Sequence, residues 1–179
     1  TKIQDAVDLC SAGDTVIVDD GEYSETTDYN ISGYGDVPTV VVIKKRIHLV
    51  SRNGKEKTHI VGKWSATDSG LGADAIRCVG IGCGPHSVNT VIKGFTLRGG
   101  ATVVAGERSE WGGGIYGVAD TCAAVDCIVE NCRAGRGGGV CRGIYVRCLM
   151  RGNDAAGVGM DAYDADGYYG CVFTSGSVF

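Results

Sequence analysis

Three carboxylates, Asp161, Asp164 and Asp166, lie close together ahead of Gly167. Clustered carboxylate oxygens are the donor set that calcium takes. Asp164-Ala165-Asp166-Gly167 has part of a calcium-loop sequence. Ala162 and Phe173 stand where an EF-hand carries its first Asp and its closing Glu, which excludes that motif. A looser calcium site on these three side chains is one expectation, and a solvated turn is the plainer one. A glycoside hydrolase needs two carboxylates, one with a raised pKa. Asp126 and Glu130 are candidates by type, although ordinary surface charge accounts for them more simply. Aromatic rings stack on the C–H faces of sugars by dispersion. Trp64 in the polar insertion 63–73, Trp111 beside Glu110, and Tyr116 and Tyr163 near segment edges are the residues expected to do so.

Other motifs exclude chemistry. Gly157-Val158-Gly159-Met160-Asp161-Ala162 has the spacing of a dinucleotide loop, but Tyr163-Asp164-Ala165-Asp166-Gly167 cannot open the helix that such a loop requires. No Gly-Lys-Ser/Thr occurs, so a phosphate-cradling loop is absent. His48, His59 and His86 are dispersed, and the nine Cys include no Cys-x-x-Cys. Their odd number leaves at least one thiol free or paired between chains. Cys78 and Cys83 flank Gly80 and Gly82 and are candidates to staple an insertion. Asn30-Ile31-Ser32 is a glycosylation sequon of a kind that also arises by chance.

The elements that must carry these residues are short. Ile3, Ala6, Val7 and Cys10 make one apolar stripe at helical spacing. Thr1 and Gln4 have capping-box spacing, and Gly13 suits the left-handed residue beyond a helix end. From Thr15 onward the chain reads as strands: 15–18, 40–43, 47–50, 60–61, 76–79, 91–92 and 95–97. No helical stretch long enough to separate them intervenes, which argues against a doubly wound α/β fold. The 179 residues suit one domain. With 17 basic and 21 acidic residues the net charge is −4, which excludes a broadly basic nucleic-acid binder. The longest aliphatic run, Val40 to Ile43, is far too short to insert in a membrane.

An internal repeat organises the strands. Segments 93–99, 125–131, 146–152 and 169–175 superpose. Phe95, Cys127, Cys148 and Cys171 form one column, and Leu97, Val129, Met150 and Phe173 a second column on the same face. Buried thiols acting as small hydrophobes are the expectation for the first. Glycine units recur between the segments at 112–114, 137–139 and, by this alignment, 157–159. Gly makes up 30 of 179 residues, well above the usual share of about 7%. Short strands and glycine corners at this period indicate a solenoid, and the scarcity of Leu argues against a leucine-rich repeat.

The opening Ile3-Gln4-Asp5-Ala6-Val7, the run Ala12 to Val18 and the turn Gly21-Glu22-Tyr23 resemble the start of right-handed parallel β-helix proteins of the pectin-lyase-like superfamily. Gly94-Phe95-Thr96-Leu97 and the Gly-Gly-Gly-Ile/Val units are similar to that family's repeats, including those of bacterial surface proteins. The resemblance implies an all-β fold: a right-handed parallel β-helix of four to five coils over 13–179, capped by a helix within 1–12. It implies a secreted or cell-surface setting and several activities, since the superfamily holds lyases, hydrolases and adhesins. Lyase chemistry of this type uses calcium to acidify the proton beside a uronate carboxyl and an Arg or Lys to remove it. Arg142 and Arg147 are the candidates here. No family catalytic motif transfers residue by residue.

Three functions are therefore in view: a module presenting a polysaccharide- or glycan-binding face, a polysaccharide lyase or hydrolase, and a structural adhesin segment. The start at Thr1 and the abrupt end at Phe179 suggest an excised segment truncated at its C-terminus. An uncovered terminal repeat would expose backbone groups able to pair end to end with a second chain.

Overall fold

A computed structural model describes residues 2–30, 36–82, 89–103, 110–117, 122–174 and 178, with the side chains of 28–30 and 36 outside that description. The fold is all-β with one helix. Among the described residues twenty strands follow the helix Ile3–Leu9, and all but two make three sheets of six. The first sheet holds Thr15–Val18, His48–Ser51, Thr90–Lys93, Cys122–Val125, Ile144–Val146 and Gly167–Tyr169. The second holds Gly21–Tyr23, Thr58–Val61, Thr96–Arg98, Ile128–Glu130, Leu149–Arg151 and Val172–Phe173. The third holds Thr27–Asn30, Asp36–Ile43, Arg77–Ile81, Ile115–Gly117, Val140–Cys141 and Ala162–Tyr163. The chain thus deals its strands to the three sheets in turn. Pairing is parallel within each sheet except between Thr27–Asn30 and Asp36–Ile43, an antiparallel pair the sequence pattern did not signal.

Registers place like over like. Tyr23, Ile60, Leu97, Val129, Met150 and Phe173 stand side by side across the second sheet, so the second expected column holds and extends further. The first sheet aligns Val16, Leu49, Ile92, Ala124, Tyr145 and Tyr168. The third aligns Val41, Val79, Ile115, Val140 and Ala162. Most of these side chains belong to one buried cluster, in which each large aliphatic contributes roughly 1.5–3 kcal/mol. Small and large neighbours complement each other, as Ala124 does Tyr145. Cys127 and Cys148 are buried and Cys171 half-buried, all as free thiols packed in the cluster. Cys78 is likewise a free buried thiol; Cys83 lies outside the described residues, as do Ile31 and Ser32 of the sequon and His86.

The corner from the first to the second sheet explains the glycines of the repeat. Gly94, Asp126, Arg147 and Gly170 occupy it in successive repeats, with φ of 77°, 54°, 51° and 62°. The left-handed conformation is natural for Gly and disfavoured for Arg. The triplets entering the third sheet have a different cause: a Cβ on Gly138 would overlap the Asp154 carbonyl oxygen. Val140 pairs with Ala162, so the unit equivalent to 137–139 is Gly159-Met160-Asp161 and not the expected 157–159. The ribbon Arg133–Arg136 with Asp154–Val158 contains the reason, a bulge that puts one extra residue between Ala155 and Val158, opposite Ala134 to Arg136.

At the N-terminus Lys2 is the N-cap of the helix, with no side-chain bond, and Thr1 of the expected capping box lies outside the described residues. Gln4 is buried instead. Its amide accepts from Val42 N–H at 2.8 Å and donates to Val42 C=O at 3.1 Å, pairing the strand as a neighbouring backbone would. Ile3 and Val7 reach the core while Ala6 stays exposed, which narrows the expected stripe. Among the described residues no helix is long and apolar enough to cross a membrane.

Candidate functional site

The outward column of the third sheet is Val42, Gly80, Tyr116, Cys141 and Tyr163. An outward apolar column requires a cover. Val42, Tyr116 and Cys141 are buried, with Trp111 and Tyr163 half-buried against them. Burial pushes the Cys141 thiol up to about 12. Trp111 stands edge-on to both tyrosines, with centroids 6.5 Å from Tyr116 and 5.7 Å from Tyr163. Arg77, fully buried beneath, fixes the position of Trp111. Its Nε donates to Gly112 O and its Nη2 to Trp111 O, both at 2.8 Å, and its guanidinium lies 5.2 Å from the Tyr116 ring.

Two further guanidinium groups flank this aromatic surface. Arg136 sits 5.9 Å from the Trp111 ring and 5.6 Å from the Tyr163 ring, and donates to Tyr163 Oη at 3.3 Å. Arg142 sits 5.8 Å from Trp111 and donates from Nε to Asp164 Oδ2 at 3.1 Å. The site therefore combines half-buried ring surface, exposed and half-buried cations and one exposed carboxylate. Stacking on apolar faces and hydrogen bonding to hydroxyl or anionic groups are both available there.

Three of the four expected sugar-stacking residues, Trp111, Tyr116 and Tyr163, are thus brought together. Tyr116 is fully buried and supports the surface from below, because its ring lies under Trp111. Trp64 has other partners: it is 42% exposed, donates from Nε1 to Asn131 O at 2.9 Å and lies 5.8 Å from the Arg133 guanidinium.

The expected calcium triad is dispersed over separate partners. Asp161 is buried and accepts from Asn153 Nδ2 at 2.8 Å. Asp164 faces Arg142, and Asp166 accepts from Gly143 N–H at 2.9 Å. Among the described residues no three His, Cys, Asp or Glu side chains converge as a metal-holding group.

The catalytic candidates are likewise engaged singly. Arg147 donates to Asp126 through two hydrogen bonds, at 2.7 and 2.8 Å. That contact holds the Asp126 carboxyl below its ordinary range and raises the Arg147 guanidinium above its own. A glycosidase acid needs the first shift reversed, and an arginine base needs the second reversed. Glu130 accepts from Arg151 Nε at 2.7 Å. Asp126 stands at the corner before the strand Ile128–Glu130 and Glu130 ends that strand, each tied to its own arginine.

Arg136 and Arg77 are absent from the expectations drawn from sequence. A signal for Arg136 was present: Trp111 and Arg136 each immediately precede a Gly-Gly-Gly triplet. Equivalent repeat positions stack, and the two residues pair as a parallel bridge. Comparison with known proteins finds no family model that matches the chain, and no curated protein matches it.

Proposed function

We propose that the chain is a right-handed parallel β-helix of the pectin-lyase-like kind that its sequence resembles. In this reading it works outside the cell or on its surface and binds a polysaccharide or cell-surface glycan through the Trp111–Tyr163 surface. Support for the architecture comes from strands dealt in turn to three parallel sheets, with like residues in register. Support for the function rests on one observation: Trp111 is held half-buried at 5.7 Å from Tyr163, with the guanidinium groups of Arg136 and Arg142 at 5.9 and 5.8 Å from its ring. Rings fixed in this way lose little entropy on stacking with a ligand, and the adjacent charges orient it.

A glycan array probed with the wild-type chain and with Trp111→Ala and Tyr163→Ala tests this. Binding to a defined set of glycans is expected, with at least a tenfold drop for Trp111→Ala and a smaller change for Trp64→Ala, whose ring packs on Arg133 rather than on the tyrosines. An empty array, or signal unaltered by Trp111→Ala in a variant with wild-type circular dichroism, contradicts it.

A further inference from the structure

Two of the buried thiols are register neighbours. Ile128 pairs with Leu149, and Leu149 N–H donates to Cys127 O at 3.0 Å, so Cys127 and Cys148 stand side by side on adjacent repeats. Neighbours on parallel strands are about 4.8 Å apart, inside the range of about 4.4–6.8 Å over which a disulfide joins two Cα atoms. Both residues are enclosed, at 0% and 2% exposure. Their sulfurs lie against consecutive carbonyls of one strand: Cys127 Sγ donates to Val125 O at 3.3 Å and Cys148 Sγ to Ala124 O at 3.4 Å. Cys148 therefore leans back into the repeat that holds Cys127. A hydrogen bond between the two thiols lowers Cys127 and raises Cys148, so Cys127 is the more readily ionised of the two.

Other thiol contacts are less suited. Cys78 and Cys132 also touch, but Cys78 stands beside Gly114 and Cys132 beside Gly100. Those glycines belong to one repeat, which separates the two cysteine backbones by two steps, about 9–10 Å. Cys171 adjoins Cys148 on its other side. Burial raises its thiol, and its half-exposed position would leave a bond there open to reductants.

We propose that Cys127 and Cys148 are a modification site, at which a disulfide locks two adjacent repeats together. The co-reactant is a small-molecule or protein disulfide. Cys127 loses its proton and attacks one sulfur of that disulfide, whose S–S bond breaks and releases one thiolate. Cys148 loses its proton and attacks the Cys127 sulfur of the mixed disulfide, releasing the second thiolate. The two cysteines give up two protons and two electrons, and the oxidant becomes two thiols. Both residues are enclosed once folded, so the exchange occurs while the repeats dock. Oxidants of this class prevail outside the cell, where the glycan-binding reading puts the chain. The bond itself uses no residue of the glycan surface and is tested apart from it.

The full chain, unfolded in urea with dithiothreitol, is refolded in mixed reduced and oxidised glutathione or in reduced glutathione alone, then alkylated and digested with trypsin. Tandem mass spectrometry is expected to find Cys127 joined to Cys148, lighter by two hydrogen atoms than the separate peptides, in the first sample only. The cross-linked chain is expected to have the circular dichroism of the reduced chain and a higher urea midpoint, because the bond restricts the unfolded state. Enclosure should protect the bond from added reduced glutathione until urea is present. Cys127→Ala should lose both the bond and the rise in midpoint. Comparing the two wild-type samples needs no substitution, so the test stands even where the variant does not fold. Cys127 and Cys148 both alkylated after oxidative refolding, a bond from either to another cysteine, a cross-linked chain with a lower midpoint, or a rise retained in Cys127→Ala overturns the proposal.

Discussion

Asp126 and Arg147 meet at the same corner of two successive repeats, joined by two hydrogen bonds, and both adopt left-handed backbone conformations, with φ of 54° and 51°. The equivalent residues on either side are Gly94 and Gly170. An exposed ion pair contributes little, and the left-handed φ is disfavoured for arginine and natural for glycine. Arg147→Gly is therefore expected to keep a urea midpoint close to that of wild type. Urea denaturation reads this directly, and a large fall in the midpoint would show that the pair is a stabilising element after all.

The same contact gives a pH dependence. Arg147 depresses the Asp126 carboxyl in the folded state. Such a group contributes stability that is present above its unfolded pKa, near 4, and is lost as pH falls through its folded value. Asp74, lowered by hydrogen bonds from Lys63 and Ser65, acts in the same direction. Wild type should lose urea resistance as the pH falls below about 4, and Asp126→Asn should lose less over the same fall. Solvent screening keeps the difference small. Identical pH profiles for the two proteins would contradict the assignment.

Gln4 joins the helix to the sheets through both polar groups of Val42. Gln4→Ala leaves a buried N–H and C=O without that partner, at about 1–3 kcal/mol for each unsatisfied group. A fall in the urea midpoint together with faster proteolysis near the N-terminus is expected. Unchanged values would mean that water replaces the amide freely.

Two glycines separate close packing from open space. Gly138→Ala forces a Cβ into the Asp154 carbonyl oxygen and should cost about 3 kcal/mol or more, or prevent folding. Gly117→Ala meets only ordinary contacts, the nearest at 3.5 Å, and should fold normally. Circular dichroism and melting curves of the two variants provide the comparison.

Buried thiols should resist alkylation. Desolvation raises Cys132 and Cys141 above the ordinary thiol range, and only the thiolate reacts. Native-state labelling with iodoacetamide at about pH 8 should modify Cys10 ahead of Cys132, Cys141 and Cys148. Rapid labelling of Cys141 in the folded protein would show that the aromatic cover over it opens.

The columns were legible in the sequence because a strand repeats its inward residues with a period of two, and stacking places equivalents side by side. Leu97, Val129, Met150 and Phe173 are accordingly where their spacing put them. The unit Gly157-Val158-Gly159 was misaligned because a bulge in Asp154–Val158 adds a residue without altering the local pattern. Gln4 was read as half of a capping box, since its bond to Val42 spans 38 positions and leaves no local trace. Part of the candidate site was visible as residue types, in Trp111, Tyr116 and Tyr163. Arg136 was not singled out, although its place before a Gly-Gly-Gly triplet, equivalent to that of Trp111, was a signal for it.

Trp64→Phe leaves Trp111 as the sole tryptophan of the chain, so its fluorescence can be followed during titration with the oligosaccharide that scores highest on the array. A saturable shift in Trp111 emission, absent with a non-binding sugar and abolished by Tyr163→Ala in the same background, is the expected result. Saturation of the glycan with no change in Trp111 emission would place binding elsewhere and contradict the assignment of this surface.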